Sequence, residues 1–210
     1  HWNESGLRYY DRVVDCCLAN GVTPWMTLYH WELPQALEEK DGWQNSETAA
    51  AFSRFAAMMA AHFEGRVSHF ITLNEPQIVL KLGYADGIHA PGKRLSLPEL
   101  VSCWKNLMLA HGLSFRAIRK AAPEALIGIA STGKLCYPHS PADEDAARQE
   151  TFRLTDSDWM FTHAIVLDAV CLGRDEPEAG ALRKLLSEVT PEEWDTMHAV
   201  PDFIGVNSYN

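Results

Sequence analysis

A carboxylic acid beside a carboxamide closes an apolar run in Thr72-Leu73-Asn74-Glu75-Pro76. The preceding residues, His69-Phe70-Ile71-Thr72-Leu73, read as a short strand that delivers polar side chains to a loop. A carboxyl there can give or take a proton, and the adjacent amide can hold a hydroxyl. A second run has the same design: Pro24-Trp25-Met26-Thr27-Leu28-Tyr29 is apolar and ends in His30-Trp31. A neutral imidazole bonds hydroxyls, and an indole offers one N–H and a flat apolar face. A third run, Asp202-Phe203-Ile204-Gly205-Val206, ends in Asn207-Ser208-Tyr209. Chemistry carried on the ends of several strands is the habit of a parallel barrel.

Asn74 and Glu75 pose a geometric problem. Adjacent residues on a regular strand point to opposite faces, so both can serve one site only if a bulge or the strand end breaks the alternation. Glu75 has a plainer alternative, capping the turn that starts near Pro76.

The elements that must position these groups alternate. Leu7, Tyr10, Val14 and Cys17 lie at helical spacing between Glu4 and Asn20, and Gly21 is the stop. Val22 to Tyr29 reads as a strand. Ser46 to Phe63 reads as a helix capped by Asn45 or Ser46 and ended near Gly65. Val67 to Leu73 is the next strand. Pro98 to Ala121 is a long helix with Leu100, Trp104, Leu107, His111, Phe115 and Ile118 on one stripe. Leu126 to Ser131 is a buried-type strand. Asp156 to Cys171 reads as a helix with Thr155 as its cap, and Phe203 to Asn207 is the last strand. Helix and strand in alternation specify a parallel α/β architecture. Neither strand-to-helix turn is glycine-rich in the way nucleotide-binding open sheets require, so a barrel is expected. A complete barrel takes about 250 residues, and four strands make roughly half of one. No linker divides residues 1–210, so one incomplete barrel domain is expected.

Composition excludes several function classes. The chain has 210 residues, and 47% hydrophobic content suffices for a sizeable core. A net charge of −10 leaves no basic stripe for nucleic acid. No apolar run reaches the roughly 18 residues of a membrane span. The five cysteines show no C-x-x-C spacing, so free thiols buried in the core of a cytoplasmic protein are expected. The chain begins His1-Trp2 rather than with methionine, which reads as a piece of something longer. Asn3-Glu4-Ser5 matches a glycosylation sequon by chance. Trp25 and Trp43 are assigned to packing.

The three chemistry-bearing segments, in their order along the chain, resemble the family 1 glycoside hydrolases, the β-glucosidases and 6-phospho-β-glucosidases. The resemblance implies a partial (β/α)8 barrel, roughly strands three to six of the family fold. It implies retaining hydrolysis of a terminal β-linked sugar, with Glu75 as the acid/base. Asn74 would hold the sugar's 2-hydroxyl, His30 and Trp31 would contact the sugar, and Asn207 would line the same site. Tyr209 would hydrogen-bond the nucleophilic carboxylate. Ser208 stands where the family commonly has a second tyrosine. The segment Gly83-Tyr84-Ala85-Asp86-Gly87-Ile88-His89-Ala90-Pro91-Gly92 resembles the one that follows the family's acid/base strand. The family's nucleophile motif, I/V-T-E-N-G, does not occur in these 210 residues, so the piece alone is expected to be inactive. A non-catalytic sugar-binding protein derived from such enzymes is the alternative. The implied partner is a small β-glycoside or oligosaccharide.

Two weaker patterns carry no function. Gly87 to Lys93 fits the first positions of a phosphate loop, but Arg94 replaces the Ser or Thr that binds magnesium, and Pro91 removes an amide donor. Lys93 and Arg94 are expected on solvated surface. His30-x-Glu32 resembles a zinc deaminase opening, yet no P-C-x-x-C follows. No metal or organic cofactor is expected.

Overall fold

A computed structural model describes residues 2–209. Four strands form one sheet: β1 (Trp25–Tyr29), β2 (His69–Asn74), β3 (Leu126–Ser131) and β4 (Phe203–Val206). All neighbours are parallel and the order is β1-β2-β3-β4. Strictly sequential order is what half of a barrel gives; a doubly wound sheet reverses direction at a switch point. All four carboxyl ends therefore face one way.

The main helices are α1 (Glu4–Ala19), α2 (Ser46–His62), α3 (Leu97–Ala121), α4 (Glu144–Phe152), α5 (Ala164–Leu172), α6 (Ala181–Leu186) and α7 (Pro191–Met197). Their ends follow from local chemistry. The Asn3 side chain accepts from Gly6 N and opens α1. Asn45 accepts from Glu47 N and opens α2. Ser96 and Glu99 form a capping box for α3, whose last turn carries Arg119 and Lys120. Helix α3 buries Leu100, Trp104, Leu107, His111 and Ile118. Phe70, Ile127 and Ile129 on the strands' outer face are fully buried. The outer face of β4 is bare: Ile204 and Val206 are exposed.

Several expectations need correction. The stretch from Asp156 to Cys171 is not one helix; α5 starts only at Ala164. The Thr155 hydroxyl accepts from Asp158 N at 3.0 Å, and the Asp156 carboxylate accepts from Ala181 N and Leu182 N at 2.9 and 2.7 Å. These short polar side chains close a turn and cap α6 instead of continuing a helix. The two N–H donors hold Asp156 below the usual carboxylate range. Trp25 lies neither in the core nor at the helix seam. It stands 54% exposed on the concave inner face, stacked on His69 at 4.0 Å, with Phe203 edge-on at 4.9 Å. Trp43 is fully buried, as expected. Of the five free cysteines only Cys103 is buried, and Cys16 is exposed. Lys93 is not simply solvated: its ammonium pairs with Glu38 at 2.5 Å and lies over the Tyr84 ring. Among the described residues no helix is long and apolar enough to cross a membrane.

Candidate active site

The three polar strand ends converge. Glu75 follows β2, is 2% exposed, and adopts φ +47°. A non-glycine residue in the left-handed region is uncommon, and such strain collects at functional sites. Two backbone features produce it. The β2–β3 register shifts between Ile71 and Asn74, which breaks the alternation as the sequence required. Glu75 N then donates to Ala130 O at 2.8 Å, so the chain stays anchored while it turns. The Glu75 side chain makes no capping bond to the turn at Pro76–Ile78, which removes the plainer reading. That turn leads into seven residues of π-helix, Val79–Ala85, a form often found beside functional groups.

The expected site residues form one connected chain of hydrogen bonds. Asn74 Nδ2 lies 3.2 Å from His30 Nε2. Asn207 Nδ2 donates to Asn74 Oδ1 at 3.1 Å and to Glu75 Oε1 at 2.6 Å. The Tyr209 hydroxyl donates to the same Oε1 at 3.2 Å. The Glu75 charge, followed by this bond, pushes the Tyr209 phenol above its ordinary value. Among the described residues the carboxylate that Tyr209 bonds is Glu75. Trp31 is tied to the same group. Its indole N–H donates to the Asn74 carbonyl at 3.0 Å, and its own φ is +82°. Its ring lies 5.4 Å from that of His89.

Some supporting residues carried no signal in the sequence. Behind β3, Gln77 Nε2 donates to Ser131 Oγ at 2.7 Å and to Thr162 O at 3.3 Å. Ser131 Oγ lies 2.9 Å from His163 Nδ1, and burial lowers the His163 pKa. Thr132 Oγ1 donates to Asn207 O at 3.3 Å. These partners are 32 to 85 residues apart, so no local pattern announces them. Only Ser131 and Thr132, polar residues closing an apolar strand, could have been flagged.

The site is open. A cavity of about 80 Å³ lies beside Trp31, between Glu38, Tyr84 and Pro91. A larger one, about 450 Å³, sits at the opposite end of the sheet near Pro24, Ser68 and Ala125, away from every polar strand end. The polar and titratable groups converge at the strand ends instead, where four strands can wall only half of a barrel mouth. Among the described residues no group of three or more His, Cys, Asp or Glu is placed to hold a metal.

The family model for glycosyl hydrolase family 1 matches residues 1–210. A β-glucosidase A of Thermotoga maritima is 32% identical over 99% of this chain and 46% of its own length. A β-glucosidase 25 of Oryza sativa subsp. japonica is 37% identical over 99% of this chain and 43% of its own. The solved structure of a Thermotoga maritima β-glucosidase with castanospermine superimposes with a TM-score of 0.82 at 30% identity, covering 98% of this chain and 45% of that one. The chain thus spans less than half the length of these relatives.

Proposed function

The chain belongs to glycosyl hydrolase family 1, and from that membership we propose that it is part of a retaining β-glycosidase of the β-glucosidase type. The partial (β/α)8 barrel supplies the acid/base half of the active site. Glu75 protonates the glycosidic oxygen as the bond from that oxygen to the anomeric carbon breaks. A carboxylate outside these 210 residues attacks the same carbon and forms the glycosyl-enzyme. Glu75, now ionised, takes a proton from water. The water oxygen then displaces the enzyme carboxylate, and the sugar leaves with its configuration retained.

The observation that carries this reading is the placement of Glu75. Its carboxyl is buried at a strained strand end and fixed by Asn207 and Tyr209. His30, Asn74 and Trp31 stand beside it and would meet the sugar's hydroxyls and its apolar face. The substrate is a small β-glycoside or oligosaccharide, and the reaction as written needs no cofactor. The five free cysteines support a reducing, cytoplasmic location. Residues 1–210 alone should turn over negligibly, because double displacement needs both carboxyls.

Glu75→Gln in the complete enzyme tests the role. Substrates with good leaving groups should keep their first step and stall at deglycosylation, whereas poor leaving groups should lose about 10²–10⁴-fold. Equal loss on both kinds of substrate rejects the assignment.

A further inference from the structure

The two oxygens of a free carboxyl are equivalent; those of Glu75 are not. Oε1 accepts from Asn207 Nδ2 at 2.6 Å and from the Tyr209 hydroxyl at 3.2 Å. Among the described residues Oε2 receives no donor, and it is not one of the sealed, partnerless oxygens. It is therefore the oxygen open to the strand-end surface.

The orientation of the Asn207 amide follows from its neighbours. Turned over, it would set its carbonyl oxygen against a carboxylate oxygen at hydrogen-bond distance, which repels whenever Glu75 is ionised. With the NH2 group toward Glu75, its two hydrogens serve two acceptors, Glu75 Oε1 and Asn74 Oδ1. Asn74 must then present its own Nδ2 to His30, so His30 Nε2 is the acceptor and the ring proton sits on Nδ1. Each donor in this row finds an acceptor, and reversing one amide breaks the row at both ends. The backbone is equally fixed. Asn207 N donates to Ser131 O at 3.0 Å, and Asn207 O accepts from Thr132 Oγ1 at 3.3 Å.

We propose that Asn207 is a positioning residue for acid catalysis: its amide N–H occupies Oε1 of Glu75 and confines the transferable proton to Oε2. This rests on Glu75 being the acid/base. In the first step the Oε2–H bond breaks and its proton passes to the departing sugar oxygen. Oε1 keeps its Asn207 donor throughout, so the new negative charge forms where a donor already waits. In the second step Oε2 takes the proton back from water. The carboxyl need not rotate between steps, which preserves the alignment that proton transfer demands.

The test uses the complete enzyme containing residues 1–210, aryl β-glucosides with leaving phenols from poor to good, and the variants Asn207→Ala, Asn207→Asp and Glu75→Gln. Asn207→Ala should lower kcat on the poorest leaving groups by about 10- to 100-fold and steepen the dependence on leaving-group acidity. KM should move less than about threefold if the lost contact serves the transition state rather than ground-state binding. The basic limb of kcat/KM should rise by about 1 pH unit, because the ionised carboxylate loses a donor. Asn207→Asp should raise it further, since two adjacent carboxyls share a proton. This variant keeps the shape of the side chain and carries the test if Asn207→Ala does not fold. Equal losses on all phenols, with a raised KM and an unmoved limb, would overturn the proposal and make Asn207 a sugar contact or a strand anchor. Glu75→Gln separates the two levels. If it shows no leaving-group dependence, the acid/base reading falls and takes this one with it. If it does, and the Asn207 variants do not, only the present inference fails.

Discussion

Strand β2 carries two polar networks three residues apart, and they are built to opposite rules. Behind the strand, Thr72 Oγ1 meets His111 Nδ1 at 2.7 Å, and His111 Nε2 meets Ala199 O at 3.0 Å. Both side chains are fully buried. Nε2–H donates to the carbonyl, the Thr72 hydroxyl donates to Nδ1, and the ring has no valence left. Burial accordingly pushes the His111 pKa down to about 4. At the end of the strand, Glu75 adopts a left-handed backbone and, among the described residues, is bonded on one oxygen only, while Tyr209 and His30 stand exposed. A network that holds the fold closes on itself. The network proposed to do chemistry leaves one carboxyl oxygen without a donor among the described residues, and it tolerates backbone strain.

The comparison is sharpest as a crossed experiment. In the complete enzyme Glu75→Gln should remove about 10²–10⁴-fold of turnover on poor leaving groups while stability moves within about 1 kcal/mol. Urea denaturation of the same preparation reads the second quantity. His111→Ala should do the reverse. It leaves a cavity and an unpaired Ala199 carbonyl, while the Thr72 hydroxyl keeps Gly128 O at 3.2 Å, so about 2–5 kcal/mol of stability should go, with turnover per folded molecule nearly unchanged. Full stability in His111→Ala would break the distinction.

The pH dependence of folding gives the next effect. His111 has its folded pKa depressed from 6.5 to about 4. Its neutral ring therefore contributes stability that is fully present above about pH 6.5 and is lost as pH falls toward 4. The loss should be of order 3 kcal/mol. His111→Gln, which cannot titrate, should flatten that part of the stability curve; an identical curve would contradict the buried neutral ring. The smallest effect belongs to Thr72→Val, which strips one donor from Nδ1 without opening a large hole. It should cost about 1–2 kcal/mol, less than His111→Ala in parallel thermal melts.

The sequence exposed this architecture unevenly. The strands, and the helices on either side of β2, were legible because periodicity and caps are local. Asn45, read as a cap before α2, acts on Glu47 N two residues on. The need for a break at Asn74–Glu75 was legible too, since a two-residue period cannot point neighbours the same way. What failed was also local competition, but of a kind that apolar spacing hides. Asp156 serves a helix 25 residues away and so cannot extend its own. Trp25 does pack, but on His69 and Phe203 of the inner face, because the two faces of a strand look alike in an apolar run. In the site, residue types were readable, but directions were not. That Trp31 spends its N–H on the Asn74 carbonyl, and that Asn207 spends its amide donors on Glu75 and Asn74, depends on contacts spanning 43 to 133 residues.

The central claim, that Glu75 is the acid/base of a double displacement, has a direct chemical test. Azide attacks without needing a general base, so it can stand in for water when that base is missing. The Glu75→Ala form of the complete enzyme, given an activated aryl β-glucoside and azide, should regain turnover and release the β-glycosyl azide, identified by NMR of the product. An α-azide, or unimpaired hydrolysis with no azide adduct, would contradict it.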